Sequence, residues 1–194
     1  MPYPLAVDIL LVQPEIPHNT GCAARLAAAT GVALHLVEPL GFSLEDRYLK
    51  RAGLDYWPQV ELHVHPDWAA ALGALAAGSS RAVASRLKLF SARGGQVLFD
   101  VEFRPDDVLV FGSESSGLPG ELLVAHADAR VYVPIRPGVR SLNLANVVCL
   151  SLYTALVSAK LPLAANRGDY VAHPRAAEDV RPIQRARRSR ADRG

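Results

Sequence analysis

Cysteine is nearly absent from this chain, with two residues in 194, at positions 22 and 149. That is too few for a disulfide framework, and the separation matches no metal-binding spacing. Two reduced thiols in a cytoplasmic protein is the plain reading. Long apolar runs are missing as well. Half of the residues are hydrophobic, yet no uninterrupted stretch approaches the roughly 18 residues of a membrane span. The opening MPYPLAVDILLVQPE has neither a basic n-region nor a recognisable cleavage site, which argues against a secretory signal. No internal repeat is visible, and no linker precedes about Ala165. The expectation is one core-forming domain over residues 1–164 and a basic tail over 165–194.

Charge is unevenly spread. The formal total is +2, but residues 181–194 hold six arginines against one acid, Asp192, a local +5 that leaves −3 for the first 180 residues. An arginine-rich arm suits contact with nucleic acid through its phosphates. A merely solvated terminus has the same composition.

Apolar runs alternating with Ala- and Leu-rich stretches predict an α/β fold, a mostly parallel sheet of five or six strands with flanking helices. Strands are expected at 5–12, 32–37, 60–64, 86–91, 108–111 and 131–135, with 60–64 at an edge because polar residues alternate through it. A helix over 22–30 would be capped by Asn19 or Thr20 and stopped by Gly31. A capping box at 43–46 opens a short charged helix ending near Gly53. Asp67 caps 68–77, which Gly78 ends, and Ser141 or Asn143 caps a long apolar helix over 144–157.

The organising stretch is 131–156, where a β-branched strand breaks on two prolines and a glycine and gives way to that helix. Open α/β sheets bind ligands at such carboxyl ends. Two other loops have the same strand–loop–helix form, 14–21 and 112–119, and the function is expected where the three meet. Gly112 ends a buried strand, where a glycine lets a ligand approach the backbone. Glu114 either binds a hydroxyl or caps a helix. Arg25 stands about one turn into its helix among small residues. The positive helix end disfavours a cation there unless an anion is near; a surface arginine lying over apolar residues is the alternative. His63 and His65 share one strand face but lack a third ligand at suitable spacing, so no metal is expected. A nucleotide-dependent oxidoreductase would need G-x-G-x-x-G after the first strand, and the first loop has two prolines and one glycine instead.

The loops Pro14-Glu15-Ile16-Pro17-His18-Asn19-Thr20-Gly21 with Arg25, Phe111-Gly112-Ser113-Glu114-Ser115-Ser116-Gly117-Leu118-Pro119, and Arg140-Ser141-Leu142-Asn143-Leu144-Ala145-Asn146 together resemble the three motifs of the SPOUT RNA methyltransferases. The resemblance spans roughly residues 6–159. It is closest to the small tRNA wobble-nucleotide 2′-O-methyltransferases (TrmL type), which lack a separate RNA-binding domain. The resemblance implies a deep C-terminal trefoil knot, S-adenosyl-L-methionine bound in it, and a homodimer acting on the anticodon region of tRNA, with no metal and no membrane. By matching position it implies cofactor contacts from Phe90, Gly112, Val133, Ser141 and Leu142. It makes Arg25 the catalytic arginine, with Asn143 and Glu114 shaping the reacting site. Leu142 stands where methionine is common, a volume-preserving change. Gly138-Val139 replaces a more polar pair. The implied reaction is methyl transfer to the ribose 2′-hydroxyl of the wobble cytidine or uridine. The alternatives are the same transfer on another tRNA or rRNA nucleotide, or a non-catalytic RNA-binding module. An arginine stays protonated, so its implied part is to hold the phosphate and the 2′-oxygen rather than to act as a simple base.

Overall fold

In the computed structural model, seven parallel strands build one sheet. They are β1 (Asp8–Val12), β2 (Leu34–Val37), β3 (Leu62–His65), β4 (Leu87–Phe90), β5 (Gln96–Val97), β6 (Val108–Phe111) and β7 (Arg130–Tyr132). Their spatial order is β3-β2-β1-β6-β4-β7-β5, and each neighbouring pair runs parallel. The structure describes residues 7–44 and 57–163, all within one compact unit, Met1–Leu163. The helix expected from the capping box at 43–46 lies mostly outside the described residues, as does the tail.

Strand alternation divides the core between the two faces of the sheet. Ile9, Leu11, Leu34, Leu36, Leu109 and Phe111 meet α1 (Pro17–Thr30) and α5 (Leu144–Ser158) through Ala23, Ala24, Ala27, Val148 and Leu152. Leu10, Val12, Val37, Leu89 and Val110 face the other way. They pack on α2 (Trp68–Ala77), through Ala71 and Leu75, and on α4 (Gly120–Ala125), through Leu123. A one-turn helix, α3 (Val83–Arg86), leads into β4. The expected α/β sheet with flanking helices is what the chain forms. The seventh strand, β5, is two residues long and follows directly on Gly94-Gly95, where no strand is expected. It exists because Gln96 and Val97 pair with Val131 and Tyr132 of β7.

Helix ends follow local chemistry where the cap is local. Asp67 accepts from the Ala70 N–H, and Gly78 closes α2, as expected. Gly31 closes α1 at φ 72°, a left-handed conformation that glycine adopts freely. The start of α1 is a correction. The helix begins at Pro17, with Ile16 in the cap position and no side-chain cap. Asn19 and Thr20 therefore lie inside its first turn. Pro17 is preset for that first position, which is why the helix starts there.

At the amino ends of the strands, Arg86 is 2% exposed and donates to the carbonyls of Asp106 (2.6 Å) and Leu75 (2.7 Å), with Asp8 at 3.5 Å. Burial pushes the Asp8 carboxyl up to about 6 against the pull of Arg86. Along the β2–β3 edge, His35 Nδ1 and His65 Nε2 lie 2.9 Å apart and His63 stacks on His35 at 4.7 Å. Burial and the neighbouring imidazoles lower His35 to about 3.

Candidate active site

The carboxyl ends of β4, β6 and β7 and the amino ends of α1 and α5 surround a cleft of about 680 Å3. Phe90, Gly112, Val133, Ser141 and Leu142 all line it, as do Glu114 and Asn143. Residues from positions 90 to 143 thus converge on one space. A cleft of this volume suits a nucleoside-sized ligand, and its apolar walls with a few convergent polar groups are what such ligands require. Its floor is a stacked pair, Phe90 on Phe111, with ring centroids 4.6 Å apart and planes at 16°.

Gly112 is confined by its own loop. A Cβ there would lie 2.0 Å from the carbonyl carbon of Gly117 and 2.1 Å from the Leu118 nitrogen. The loop returns on itself through paired hydrogen bonds: Ser113 N–H to Gly117 O at 3.2 Å and Gly117 N–H to Ser113 O at 2.9 Å. The close approach expected from a ligand is therefore made by residues 117–118. This corrects the reason for the glycine and leaves Gly112 in the cleft wall.

Glu114 does not cap the helix after its own loop, which has Pro119 in the cap position and no side-chain cap; it reaches across to the residues just ahead of α1. Its carboxylate accepts from the Glu15 N–H (2.8 Å), the Ile16 N–H (3.2 Å) and the Asn19 side-chain amide (2.9 Å). Those main-chain donors stand at the start of α1, where a helix has unpaired N–H groups and its dipole favours an anion. Glu15 reciprocates, accepting from the Ser115 N–H (3.1 Å) and hydroxyl (2.7 Å). Two carboxylates exchanged in this way clamp loop 14–21 against loop 112–119.

The third loop joins through Asn143. Its Oδ1 accepts from the N–H groups of Ala145 (2.9 Å) and Asn146 (3.4 Å), so Asn143, and not Ser141, caps α5. Its amide donates to Asn19 Oδ1 at 3.1 Å. Asn143, Asn19 and Glu114 thus form one chain of hydrogen bonds across all three loops. Arg140 adds a link by donating to the Ser115 carbonyl at 3.0 Å. Sequence reasoning gave Glu15 no role and treated Asn19 only as a cap. The available signal was a polar Asn within an otherwise small-residue helix; it is 3% exposed in the fold.

Arg25 stands apart from this cluster. It is exposed, it is the ninth residue of α1, and it is not among the cleft lining. With the helix starting at Pro17, Arg25 lies two turns from the amino end. The dipole effect is confined to the first turn, so the expected helix-end conflict does not arise. On α5, Leu150, Tyr153 and Val157 are 37%, 42% and 65% exposed. Their spacing places these three side chains in one stripe.

The chain is similar to several known proteins. The model of the SpoU rRNA Methylase family matches residues 6–153. A tRNA (cytidine(34)-2′-O)-methyltransferase of Acidovorax sp. (strain JS42) is 49% identical over 148 residues, covering 76% of this chain and 88% of that protein. A solved structure, "Structural insights into the 2-OH methylation of C/U34 on tRNA", matches with a TM-score of 0.73 at 46% identity, over 81% of this chain and 98% of its own. The SpoU methyltransferase AviRb from Streptomyces viridochromogenes, solved in complex with the cofactor AdoMet, shares the fold. Its TM-score is 0.69 at 24% identity, over 78% of this chain and 57% of its own.

Proposed function

This chain belongs to the SpoU rRNA methylase family, and we propose that it transfers a methyl group from S-adenosylmethionine to the ribose 2′-hydroxyl of nucleotide 34, cytidine or uridine, in tRNA. The observation that carries the proposal is the convergence of the three loops. Five positions matched to cofactor contacts line one cleft, and Glu114, Asn19 and Asn143 tie its walls together. The 49% identical relative named for cytidine 34, and the solved structure titled for C/U34, support the choice of nucleotide.

The chain's residues fit the cofactor. Stacked Phe90 and Phe111 offer an apolar floor to an adenine edge and a thioether. Gly112 and Val133 contribute backbone and apolar wall, and Ser141 and Leu142 stand at the turn into α5. When bound, the cofactor supplies a methyl group already activated on a sulfonium, so the protein's task is alignment and relief of charge on the acceptor oxygen. Glu114 and Asn143 act by holding the loops. The carboxylate is committed to the α1 amino end and the amide to Asn19, which fixes the cleft before substrate arrives. Arg25 serves the acceptor: its guanidinium holds an RNA phosphate and the 2′-oxygen, stabilising charge as the proton leaves. The proton passes to the phosphate or to water, because a guanidinium already carries its full complement of protons.

The active unit in this reading is a homodimer. The exposed apolar stripe Leu150, Tyr153 and Val157 supports it, and Arg25, outside the cleft of its own chain, then serves the site formed with the second copy. A C-terminal knot belongs to the same reading. It is supported by the family and by the seating of α5 on residues 101–103, where the Ser158 hydroxyl donates to Val101 O (3.3 Å) and accepts from the Phe103 N–H (3.1 Å). Among the described residues no helix is long and apolar enough to cross a membrane, and we place the protein in the cytoplasm with its tRNA. The test is methylation of tRNA transcripts with labelled S-adenosylmethionine. Label should enter transcripts with a 2′-hydroxyl at position 34 and not those with a 2′-deoxy nucleotide there. Equal labelling of both would refute the assignment.

A further inference from the structure

The cleft lining contains two cations and one carboxylate, Arg93, Arg140 and Glu114, among the described residues. Glu114 is committed to the start of α1, and Arg140 donates to the Ser115 carbonyl. Arg93 differs from both. Among the described residues its guanidinium makes no hydrogen bond and no ion pair, and the side chain is exposed at the mouth of the cleft.

The turn that carries Arg93 is held on both sides. Its own N–H donates to the Ser91 hydroxyl at 3.1 Å, and the Ser91 N–H donates to the Val131 carbonyl at 3.0 Å. Beyond it, Gly94 and Gly95 take φ of 92° and 136°. A Cβ on Gly95 would lie 2.3 Å from the Arg130 carbonyl oxygen. Strand β5 then pairs with β7. A long cation on a fixed turn, without a protein acceptor and facing a ligand cleft, is placed to receive an anion that the ligand brings.

Resting on the RNA-methylation reading above, we propose that Arg93 is an RNA-binding residue whose guanidinium takes a phosphodiester beside the nucleotide that enters the cleft. The planar fork matches two phosphate oxygens. The amino-acid end of the cofactor also carries an oxyanion, but it carries an ammonium with it and is neutral overall. A phosphodiester is a net anion, and Arg93 lies at the exposed rim rather than against the Phe90–Phe111 floor.

The experiment compares wild type, Arg93→Gln and Arg93→Lys. Affinity for tRNA is measured by fluorescence anisotropy at several salt concentrations, and affinity for S-adenosylmethionine by calorimetry. Neither substitution removes an internal contact, so both variants should unfold at the wild-type temperature. Arg93→Gln is expected to weaken tRNA binding about tenfold. It should also reduce the slope of log affinity against log salt by about 0.7, as loss of one phosphate contact to a single strand requires. Arg93→Lys should keep the salt slope and recover part of the affinity. S-adenosylmethionine should bind all three alike. Unchanged tRNA affinity and slope in Arg93→Gln would overturn the proposal. Weakened S-adenosylmethionine binding with tRNA binding intact would also overturn it, by assigning the guanidinium to the cofactor's carboxylate. Because these readouts do not need turnover, the two readings fail differently. A wild type that binds no tRNA overturns the function itself, whereas wild-type binding that Arg93→Gln leaves unchanged overturns only the role of Arg93.

Discussion

Glu114→Gln isolates the clamp that builds the cleft. The native carboxylate accepts three hydrogen bonds: Oε2 from the Glu15 N–H at 2.8 Å, and Oε1 from the Ile16 N–H at 3.2 Å and the Asn19 amide at 2.9 Å. A glutamine keeps the shape but has one acceptor oxygen. Whichever way the amide turns, its NH2 must face a donor, so at least one contact becomes donor against donor. A hydrogen bond to a charged group contributes about 1.5–3 kcal/mol, and a carboxylate at a helix amino end adds about 0.3–1 kcal/mol. Glu114 is partly exposed, which puts the expected loss near the lower end, about 2 kcal/mol. For a chain of this size that lowers the unfolding temperature by about 4–8 °C. Differential scanning calorimetry measures it, and a methyl-transfer assay run in parallel should show a larger proportional loss, because Asn19 and Asn143 lose their anchor with Glu114. A variant that melts within 1 °C of wild type and turns over normally would refute the clamp.

Gly112→Ala should cost about 3 kcal/mol, because the new methyl meets the 117–118 backbone at 2.0–2.3 Å; an S-adenosylmethionine affinity and melting temperature equal to wild type would show that the loop yields easily. Arg25→Ala and Arg25→Lys should both lose methyl transfer while calorimetry finds S-adenosylmethionine binding intact, since a point charge does not reproduce a two-pronged contact; substantial turnover by the lysine variant contradicts that role. Stability should depend on pH through groups of opposite sign, His35 and Asp8 foremost among them. His35, lowered to about 3 from 6.5, loses stability as pH falls below 6.5, whereas Asp8, raised to about 6 from 3.8, gains stability between 6 and 3.8. Asp8→Asn removes the compensating gain, so denaturant titrations of that variant should show a steeper acid loss, approaching 1.4 kcal/mol per pH unit from His35; a slope identical to wild type would disprove the opposition.

Much of this protein was legible in its residues because the relevant interactions are local. Strand β6 reads directly as Val108–Phe111, and α2 reads from Asp67 to Gly78, since a cap and a stop act within a few residues of what they terminate. The three loop motifs, read in order, already pointed to the family and the reaction. Contacts between distant residues decided the rest. Strand β5 depends on β7, about 35 residues later in the chain, and nothing in Gln96-Val97 alone distinguishes it from a turn. The bridging role of Glu114 required loop 14–21 to lie beside it, 98 and 99 residues away in sequence, and Asn143 reaches Asn19 across 124. Gly112 looked like an opening for a ligand and is instead a seat for its own loop. The sequence by itself determined most of the elements that form and which residue types gather at their carboxyl ends. Tertiary structure alone decided which of those residues tie the cleft walls to one another and which, like Arg93, are left without a protein acceptor among the described residues, because a polar group's role depends on the partner that the fold brings to it.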